Sequence, residues 1–583
     1  MSAEKLITDH IDIWTSAVQA KSASGRGSSK KRELYGIKKL RELILELAVR
    51  GKLVPQDPTD EPASVLLERI AAEKAQLVKD KEIPKTKPLP AISPDDIPDD
   101  LPTGWSMVRL GEIVTKMGSG STPRGGQKAY VDDGVIFLRS QNVWNEGVRL
   151  DDVAYISDEV HQKMSNTKVL PGDVLLNITG ASLGRTTIFS SDFVEANVNQ
   201  HVTIIRLIEL EMNKFVHLGL MSPMVQKLVW GRQVGMAIEG LSKKVLEQFE
   251  FPIPPINEQH RIVAKVDELM TLCDQLEQQT EASIEAHQVL VTTLLDTLTN
   301  SDDADELMQN WARISEHFDT LFTTEESIDQ LKQTILQLAV MGKLVPQDPN
   351  DELAAKLLER IAEEKAQLVK EKKIKKQKAL PPISEDEKPF ELPSGWEWAR
   401  VAEVGVGSTG KTPSTRNSEF YDGDIPFIGP GQITLSGTML TAEKFITEQG
   451  LLESVEANSG DILMVCIGGS IGKAVIARER IGFNQQINAI SPVVMDSSYL
   501  LSAMSTRQFY GSVLAKSTGS ATPIINRGKW ETLLLPVAPI AEQHRIVAKV
   551  DQLMALCDQL KQRLDDSQQT KLQLTDAIVG QAL

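Results

Sequence analysis

Cysteine is nearly absent from this chain, with three residues in 583. So few thiols exclude a disulfide framework. Cys273 and Cys557 fall at corresponding positions of a helical stripe and Cys466 sits in an apolar run, so buried thiols are expected rather than a metal site. No apolar run reaches the roughly 18–20 residues that span a bilayer. Met1-Ser2-Ala3-Glu4-Lys5 lacks the basic start and apolar centre of a signal peptide. A soluble, cytoplasmic protein is expected. Catalytic spellings are also thin. There is no His-Glu-x-x-His, no Cys-x-x-Cys, no Asn/Asp-Pro-Pro-Tyr/Phe of amino-methyltransferases and no glycine fingerprint for S-adenosylmethionine. An excess of positive charge is missing too: 63 Lys and Arg face 80 Asp and Glu, a net charge of −17 that argues against a nucleic-acid partner. Its distribution softens the point. Residues 106–250 hold 15 basic and 16 acidic side chains, and 397–534 hold 11 and 13, so most of the negative charge lies elsewhere.

What the chain has is itself, twice. Residues 40–83 recur without a gap as 331–374, with 32 of 44 positions identical and Gly-Lys-Leu-Val-Pro-Gln-Asp-Pro repeated unbroken from Gly51 and Gly342. Residues 251–279 recur as 535–563, with 21 of 29 identical. Between these blocks lie 106–250 and 397–534, far less alike. The chain therefore reads as a fixed frame, written twice around two different inserts. Six segments follow: 1–105 and 301–396 as helical frame with a Pro-rich linker, 106–250 and 397–534 as inserts, and 251–300 and 535–583 as long spacer helices. Copy one carries a Ser/Gly/Lys-rich stretch, 21–31, with the composition of a flexible loop.

Periodicity makes the frame helical. Ile262, Val266, Leu269, Cys273 and Leu276 are spaced four and three apart, and Ile546, Val550, Leu553, Cys557 and Leu560 repeat them. The two stripes are expected to pack on each other. Segments 40–49 and 61–81 read as shorter helices, and the prolines from Pro84 to Pro98 forbid helix and give a stiff linker. It ends in Leu-Pro-Thr-Gly-Trp at 101–105, repeated as Leu-Pro-Ser-Gly-Trp at 392–396. His260 and His544 stand in identical Glu-Gln-His-Arg settings, where helix-start or partner-contact roles outweigh catalysis.

Both inserts read as mixed α/β. Strands are expected over 134–138, 173–178 and 202–207, and over 425–428, 461–467 and 489–494; helices come late, over 214–230 and 497–516. A faint common skeleton, including Gly172-Asp173 with Gly460-Asp461 and Asn199-Gln200 with Asn484-Gln485, points to one shared fold. Gly405 to Thr412 spells a P-loop, Gly-x4-Gly-Lys-Thr. Pro413 follows at once, no apolar helical period comes after it, and the matching loop at 118–123 has no lysine. A polar loop against a DNA backbone is the better reading of Lys411.

The segment Pro254-Pro255-Ile256-Asn257-Glu258-Gln259-His260-Arg261-Ile262-Val263, its copy from Ala538 to Val547, and the doubled Leu-Pro-x-Gly-Trp resemble the specificity subunit of Type I restriction–modification systems, over essentially the whole chain. The resemblance implies an α/β fold with two target recognition domains separated by two long antiparallel helices. Each domain would read one half of a split double-stranded DNA target. The frame would bind two methyltransferase subunits, and restriction subunits would join these. It implies no catalysis in this chain: S-adenosylmethionine, ATP and Mg would belong to the partners. Two readings stay open beside it, a tandem-repeat scaffold for proteins or glycans and a nucleotide enzyme built on Lys411.

Bases are read by Arg, Lys, Asn and Gln, and phosphates are held by Ser, Thr and Lys. The DNA-contact candidates in the first insert are Ser119, Ser121, Thr122, Arg124, Lys128, Arg139, Gln141, Asn142, Lys243 and Lys244. In the second they are Ser408, Thr409, Lys411, Thr412, Arg416, Gln432, Arg527 and Lys529. Asn199, Gln200, Asn484 and Gln485 are common to both, so they suit the fold or phosphates better than base discrimination.

Overall fold

The computed structural model describes residues 3–20, 32–125, 129–233, 240–302, 304–377, 380–519 and 522–583. The 21–31 loop and Lys128 lie outside the described residues. The chain divides into two units, 1–282 with 567–583, and 283–566. Each unit is mixed helix and sheet, as expected.

In the first unit the frame supplies helices Tyr35–Val49 and Ala63–Lys79 and the opening of the long helix Ile256–Thr299. The recognition domain closes where strand Ser106–Arg109 pairs antiparallel with Glu250–Ile253. That pairing runs three residues beyond the expected boundary at 250. Between these strands are two larger sheets and the short hairpin Val143–Trp144 with Gly147–Val148. One is wholly antiparallel, ordered Thr186–Ile188, Val174–Asn177, Val202–Leu207, Val114–Ser119. The other has five strands, with Val135–Leu138 parallel to Ala196–Val198 at its centre. The helical stretch expected over 214–230 is two helices, Asn213–Met221 and Pro223–Gly231. Ser222 breaks it: its hydroxyl caps Val225 N, and Pro223 takes the first helical position, where its missing N–H costs nothing. Gly219 lets the first of these helices reach Phe251, whose ring would lie 2.0 Å from an added Cβ.

The second unit repeats the plan. Glu397–Arg400 pairs with Leu534–Val537. One four-stranded sheet runs Gly405–Thr409, Ile487–Pro492, Ile462–Val465, Ala474–Ile476, and Tyr421–Ile428 lies parallel to Ile481–Phe483 in the other. The helical stretch over 497–516 is again split, into Ser497–Met504 and Arg507–Lys516.

The long helices are Ile256–Thr299 and Ile540–Ala582. Each stripe is buried within its own unit. Ile262, Val266, Leu269 and Cys273 are buried in the first unit's core beside Leu40, Leu43 and Ile44, with Leu276 packed at its edge near Ile578 and Val579. Ile546, Val550 and Cys557 are buried in the second unit's core, with Leu553 and Leu560 packed against it near Ile335 and Leu298. A heptad pattern fixes which face is apolar, not what covers it. Here the shorter frame helices do so. Arg41 reaches Asp274 and Glu277 in one unit, and Lys332 reaches Asp558 in the other. All three cysteines are buried thiols, and burial pushes Cys273 and Cys557 up to about 11 and Cys466 up to about 12.

The repeated letters of the frame are a lock. Gly104 and Gly395 adopt left-handed backbone, φ +86° and +89°, which glycine tolerates without strain. Their carbonyls accept Ala63 N and Ala354 N, at the starts of the frame helices Ala63–Lys79 and Ala354–Lys370. Arg261 and Arg545 each hold the frame turn through a 2.6 Å ion pair, to Asp60 and Asp351. Gln259 and Gln543 donate to the carbonyls of Pro254 and Ala538, tying the helix start to the strand before it. Trp396 Nε1 donates to the buried Glu542 at 2.9 Å. The histidines face carboxylates, His260 near Glu211 and His544 near Asp496, at 3.8 and 3.7 Å. Arg109 and Arg400 reach back to linker carbonyls of Pro90 and Ala91, and of Pro381 and Pro382, fastening the Pro-rich linker to the domain.

Candidate nucleic-acid interface

The strand directions bring five loops of each recognition domain to one edge of its two sheets. In the first domain these are 119–124, 139–145, 178–185, 199–201 and 240–242. They leave or enter the sheets at Ser119, Leu138, Asn177, Val198 and Val202, residues aligned by the register of the ladders. Leu241 N donates to Ile178 O and closes the fifth loop onto this rim. The second domain builds the same rim from 410–417, 429–439, 466–473, 484–486 and, in its fifth loop, 518–519 and 522–525, with Ile525 N donating to Cys466 O.

The two rims share a bracing scheme. Gly120 N donates to Val202 O and Ser121 N to Val198 O; Gly410 N donates to Ile487 O and Lys411 N to Phe483 O. A Cβ on Gly120 would sit 1.8 Å from Val198 O, and one on Gly410 would sit 2.0 Å from Asn484 O, so only glycine fits. Asn199 accepts from His201 N, and Asn484 from Gln486 N, each making an Asx turn. Thr122 donates to Gln200, and Thr412 donates to Gln485 at 2.7 Å. The residues common to both inserts thus hold each other.

That bracing decides several candidates. Asn142 is fully buried; its carbonyl caps Arg139 N and its amide donates to Arg149 O, so it has nothing left for DNA. Asn199 is buried in its turn. Gln432 does for Gly429 N what Asn142 does for Arg139. Asn142 and Gln432 are corrected to capping roles, because a side-chain amide at a loop start satisfies backbone groups first, and Asn199 takes the fold role expected of a residue common to both inserts. Ser119, Ser121, Thr122, Arg124, Gln141 and Gln200 are exposed on the first rim, and Lys411, Thr412, Arg416 and Gln485 on the second. Arg139 is half-buried and donates to Asp152 O. Ser408, Thr409 and Asn484 are half-buried, and Thr409 is already bonded to Asn488. Lys243 and Lys244 are exposed on the short helix Lys243–Leu246, and Arg527 and Lys529 on Arg527–Glu531, immediately after the fifth loop.

The P-loop spelling does not fold as one. Gly405–Thr409 is a strand, the Gly410 and Lys411 amides are spent on carbonyls, no helix follows, and Lys411 pairs with Glu453 at 3.1 Å. Phosphate cradling needs those amides free.

The sequence reading missed one repeat. Gly180-Ala-Ser-Leu-Gly-Arg185 returns as Gly468-Gly-Ser-Ile-Gly-Lys473. Both spell Gly-x-Ser-x-Gly, the pattern of a hydrolase nucleophile elbow, which the motif reading above passes over. An elbow needs a strand-to-helix turn. Here the turn joins antiparallel strands, Val174–Asn177 to Thr186–Ile188 and Ile462–Val465 to Ala474–Ile476. The reading also missed Trp144, on whose ring the guanidiniums of Arg149 and Arg185 stack, 3.9 and 3.8 Å from its centre. Among the described residues no group of His, Cys, Asp and Glu could hold a metal, and no helix is long and apolar enough to cross a membrane.

A two-sheet domain with a polar rim, present twice on a duplicated helical frame, has the architecture of a modular recognition protein. Residues 102–286 and 393–567 match the Type I restriction modification DNA specificity domain. The chain belongs to this family, that of the specificity subunits of Type I restriction–modification systems. It is 42% identical over 609 aligned residues to the Type I restriction enzyme EcoAI specificity subunit of Escherichia coli, with 100% of both chains covered. It is 43% identical over 603 to the EcoEI specificity subunit of the same organism, again with 100% of each covered. A chain from a solved type I R-M system aligns over 83% of this chain and 99% of its own, at 18% identity and a TM-score of 0.49.

Proposed function

We propose that this chain is the non-catalytic, DNA-reading subunit of its restriction–modification complex, each rim reading one half of a bipartite double-stranded target. The observation that carries the reading is the contrast between a lock whose glycine turn, Arg–Asp pair and Gln tie repeat in both copies and rims whose braces repeat while most of their other exposed residues differ. Two like docking faces suit two like methyltransferase subunits; two unlike rims suit two unlike half-sites. Restriction subunits join that core, and S-adenosylmethionine, ATP and Mg act on the partners, in the cytoplasm. The near-neutral inserts fit this role, because the acidic frame is left to protein contacts. The test is to express the chain with its methyltransferase subunits and sequence the methylated sites. A split motif with an unspecified gap is expected. Methylation without any sequence preference, or normal methylation when this chain is omitted, overturns the reading.

A further inference from the structure

We propose that the turns 180–185 and 468–473 present a DNA-phosphate contact at one shared place on the two rims, Arg185 in the first and Lys473 in the second, and that Trp144 joins Arg149 to Arg185 as a two-cation clamp. The proposal rests on DNA recognition by the rims and names which residues hold the backbone irrespective of sequence.

Three observations carry it. First, the two turns are one device. Asn177 N donates to Arg185 O and Val465 N to Lys473 O; Gly184 N returns to Asn177 O and Gly472 N to Val465 O. Gly180, Gly184, Gly468 and Gly472 all have positive φ, between +71° and +91°, so both turns need both glycines. The last residue of each turn is basic, on rims whose exposed side chains, the Thr–Gln braces aside, largely diverge. A contact repeated across two different half-sites cannot discriminate bases, and the phosphate backbone is what every half-site shares.

Second, these cations are free of acidic partners. Lys411 pairs with Glu453, Arg527 with Glu531 and Lys243 with Glu247. Neither Arg185 nor Lys473 has a carboxylate within ion-pair distance among the described residues. Both are half-buried, which limits side-chain freedom and leaves less to lose on contact.

Third, Trp144 holds two guanidiniums within 4 Å of its ring centre. Its own N–H is fixed to Gln141 O at 2.7 Å. Cation–π attraction holds each arginine there, but the arrangement gathers two like charges against, among the described residues, one ion-paired carboxylate, Glu146 at 3.6 Å from Arg149. An anionic oxygen between the guanidinium edges relieves that repulsion, and guanidinium forks match phosphate geometry. In the second domain Thr434 stands at the place of Trp144 by its position after the Gln432 cap, so Lys473 acts alone.

The experiment uses the chain assembled with its methyltransferase subunits. Affinity for a target duplex and for a scrambled duplex is measured across a salt series, and methylated sites are sequenced. Arg185→Ala, Arg149→Ala and Lys473→Ala are each expected to weaken both duplexes alike and to lower the slope of log affinity against log salt by about one. Trp144→Ala keeps both charges and removes what positions them, so it is expected to weaken both duplexes while leaving most of the slope. Arg185→Lys keeps a charge and restores most of the slope, an outcome that loss of a merely structural stack would not give. The methylated sequence stays the same. Unchanged slopes in the three cation-to-alanine variants, or loss confined to the target duplex, overturn the proposal. If the unaltered complex binds DNA with no salt dependence, the DNA-reading function itself fails instead.

Discussion

The two recognition domains are built alike and finished differently. At the cap position Asn142 and Gln432 do the same work. Two residues on, the first domain places Trp144 between two arginines, whereas the second has Thr434 followed by Leu435, 89% exposed at the tip of a turn closed by the Ile433–Met439 bridge. The contrast reaches the core. Asp173 and Asp461 both accept a backbone N–H three residues earlier in the chain, from Leu170 and Asn458. Asp173 also takes a bidentate pair from Arg206, both contacts 2.7 Å; register puts Ser491 at that place in the second domain, and burial raises Asp461 above the ordinary carboxylate range. At this aspartate the backbone brace is common to both domains and the side-chain partner is not. What is duplicated is the means of holding loops, and what has diverged is what the loops present.

The largest effect should come from breaking the comparison outright. Exchanging the first domain for that of a relative should change one half of the methylated target and leave the other half and the gap unaltered. The exchange should run over 106–253, because Ser106–Arg109 pairs with Glu250–Ile253, and the ion pair of Arg109 with Glu250 must travel as a unit. A change in both halves, seen by sequencing methylated sites, would show that the rims are not independent readers.

The next effect tests whether each long helix belongs to its own core. Leu269→Asp puts a charge where the side chain is fully buried beside the first unit's frame helices. Losing a buried leucine alone costs about 2–5 kcal/mol, and an unpaired buried charge adds to that. Leu553→Asp, at a half-buried site, should cost less. Chemical unfolding followed by hydrogen exchange should show the first substitution loosening 35–79 and 256–276 while protection over 325–370 persists. Equal loss in both frames would mean the stripes support each other after all.

How much of this was legible from the sequence follows from the physics of each signal. The strand Val202–Leu207 and the frame helices were readable because a buried face leaves a period. The partner of the stripe was not, because any apolar surface satisfies it. The candidates on 119–124 and 411–416 reached the rim because Gly, Ser, Thr and Pro mark a turn. Asn142 and Gln432 were misassigned because a capping amide and a base-reading amide look alike in sequence. The turn 180–185 was passed over because glycine and serine read as loop filling, although its repetition at 468–473 was there to be found. Trp144 carried no sequence signal, since its two arginines lie 5 and 41 positions away and only the hairpin Val143–Trp144 with Gly147–Val148 gathers them.

A smaller effect sharpens the comparison inside the core. Arg206→Ser should convert the environment of Asp173 into that of Asp461. Removing one partner of a largely buried pair should cost about 2–3 kcal/mol here, below the 3–5 of a fully buried pair because the Arg206 side chain is 24% exposed. Asp461 should show a pH dependence as well. A carboxyl whose folded value is raised binds its proton more tightly folded than unfolded. Its stabilising contribution is therefore full on the acid side and lost as pH rises through the raised value. The native protein should show this at Asp461, and Asp461→Asn should remove it. Thermal unfolding from pH 4 to 8 is the measurement, and parallel profiles for the two proteins would refute the account.

The smallest effect separates a paired rim cation from a free one. Lys411 and Glu453 form an exposed ion pair, 61% and 55% exposed, of the kind worth about 0–1 kcal/mol, so Lys411→Ala should hardly alter stability. Its loss should leave ATP use by the full complex intact, because the amides of a phosphate cradle are spent on Ile487 O and Phe483 O. The salt slope of DNA binding should fall by less than the full unit expected of Lys473→Ala, since a phosphate must compete with Glu453 for this ammonium. The converse substitution makes the argument specific. Glu453→Gln frees Lys411 and removes a repelling charge from the rim, so affinity should rise and the slope should steepen for target and scrambled duplexes alike. If Lys411→Ala abolishes ATP turnover while DNA binding holds, the P-loop spelling is functional. If Glu453→Gln changes nothing, Lys411 does not face the backbone, and the second rim's phosphate contact falls to Lys473 and Arg416.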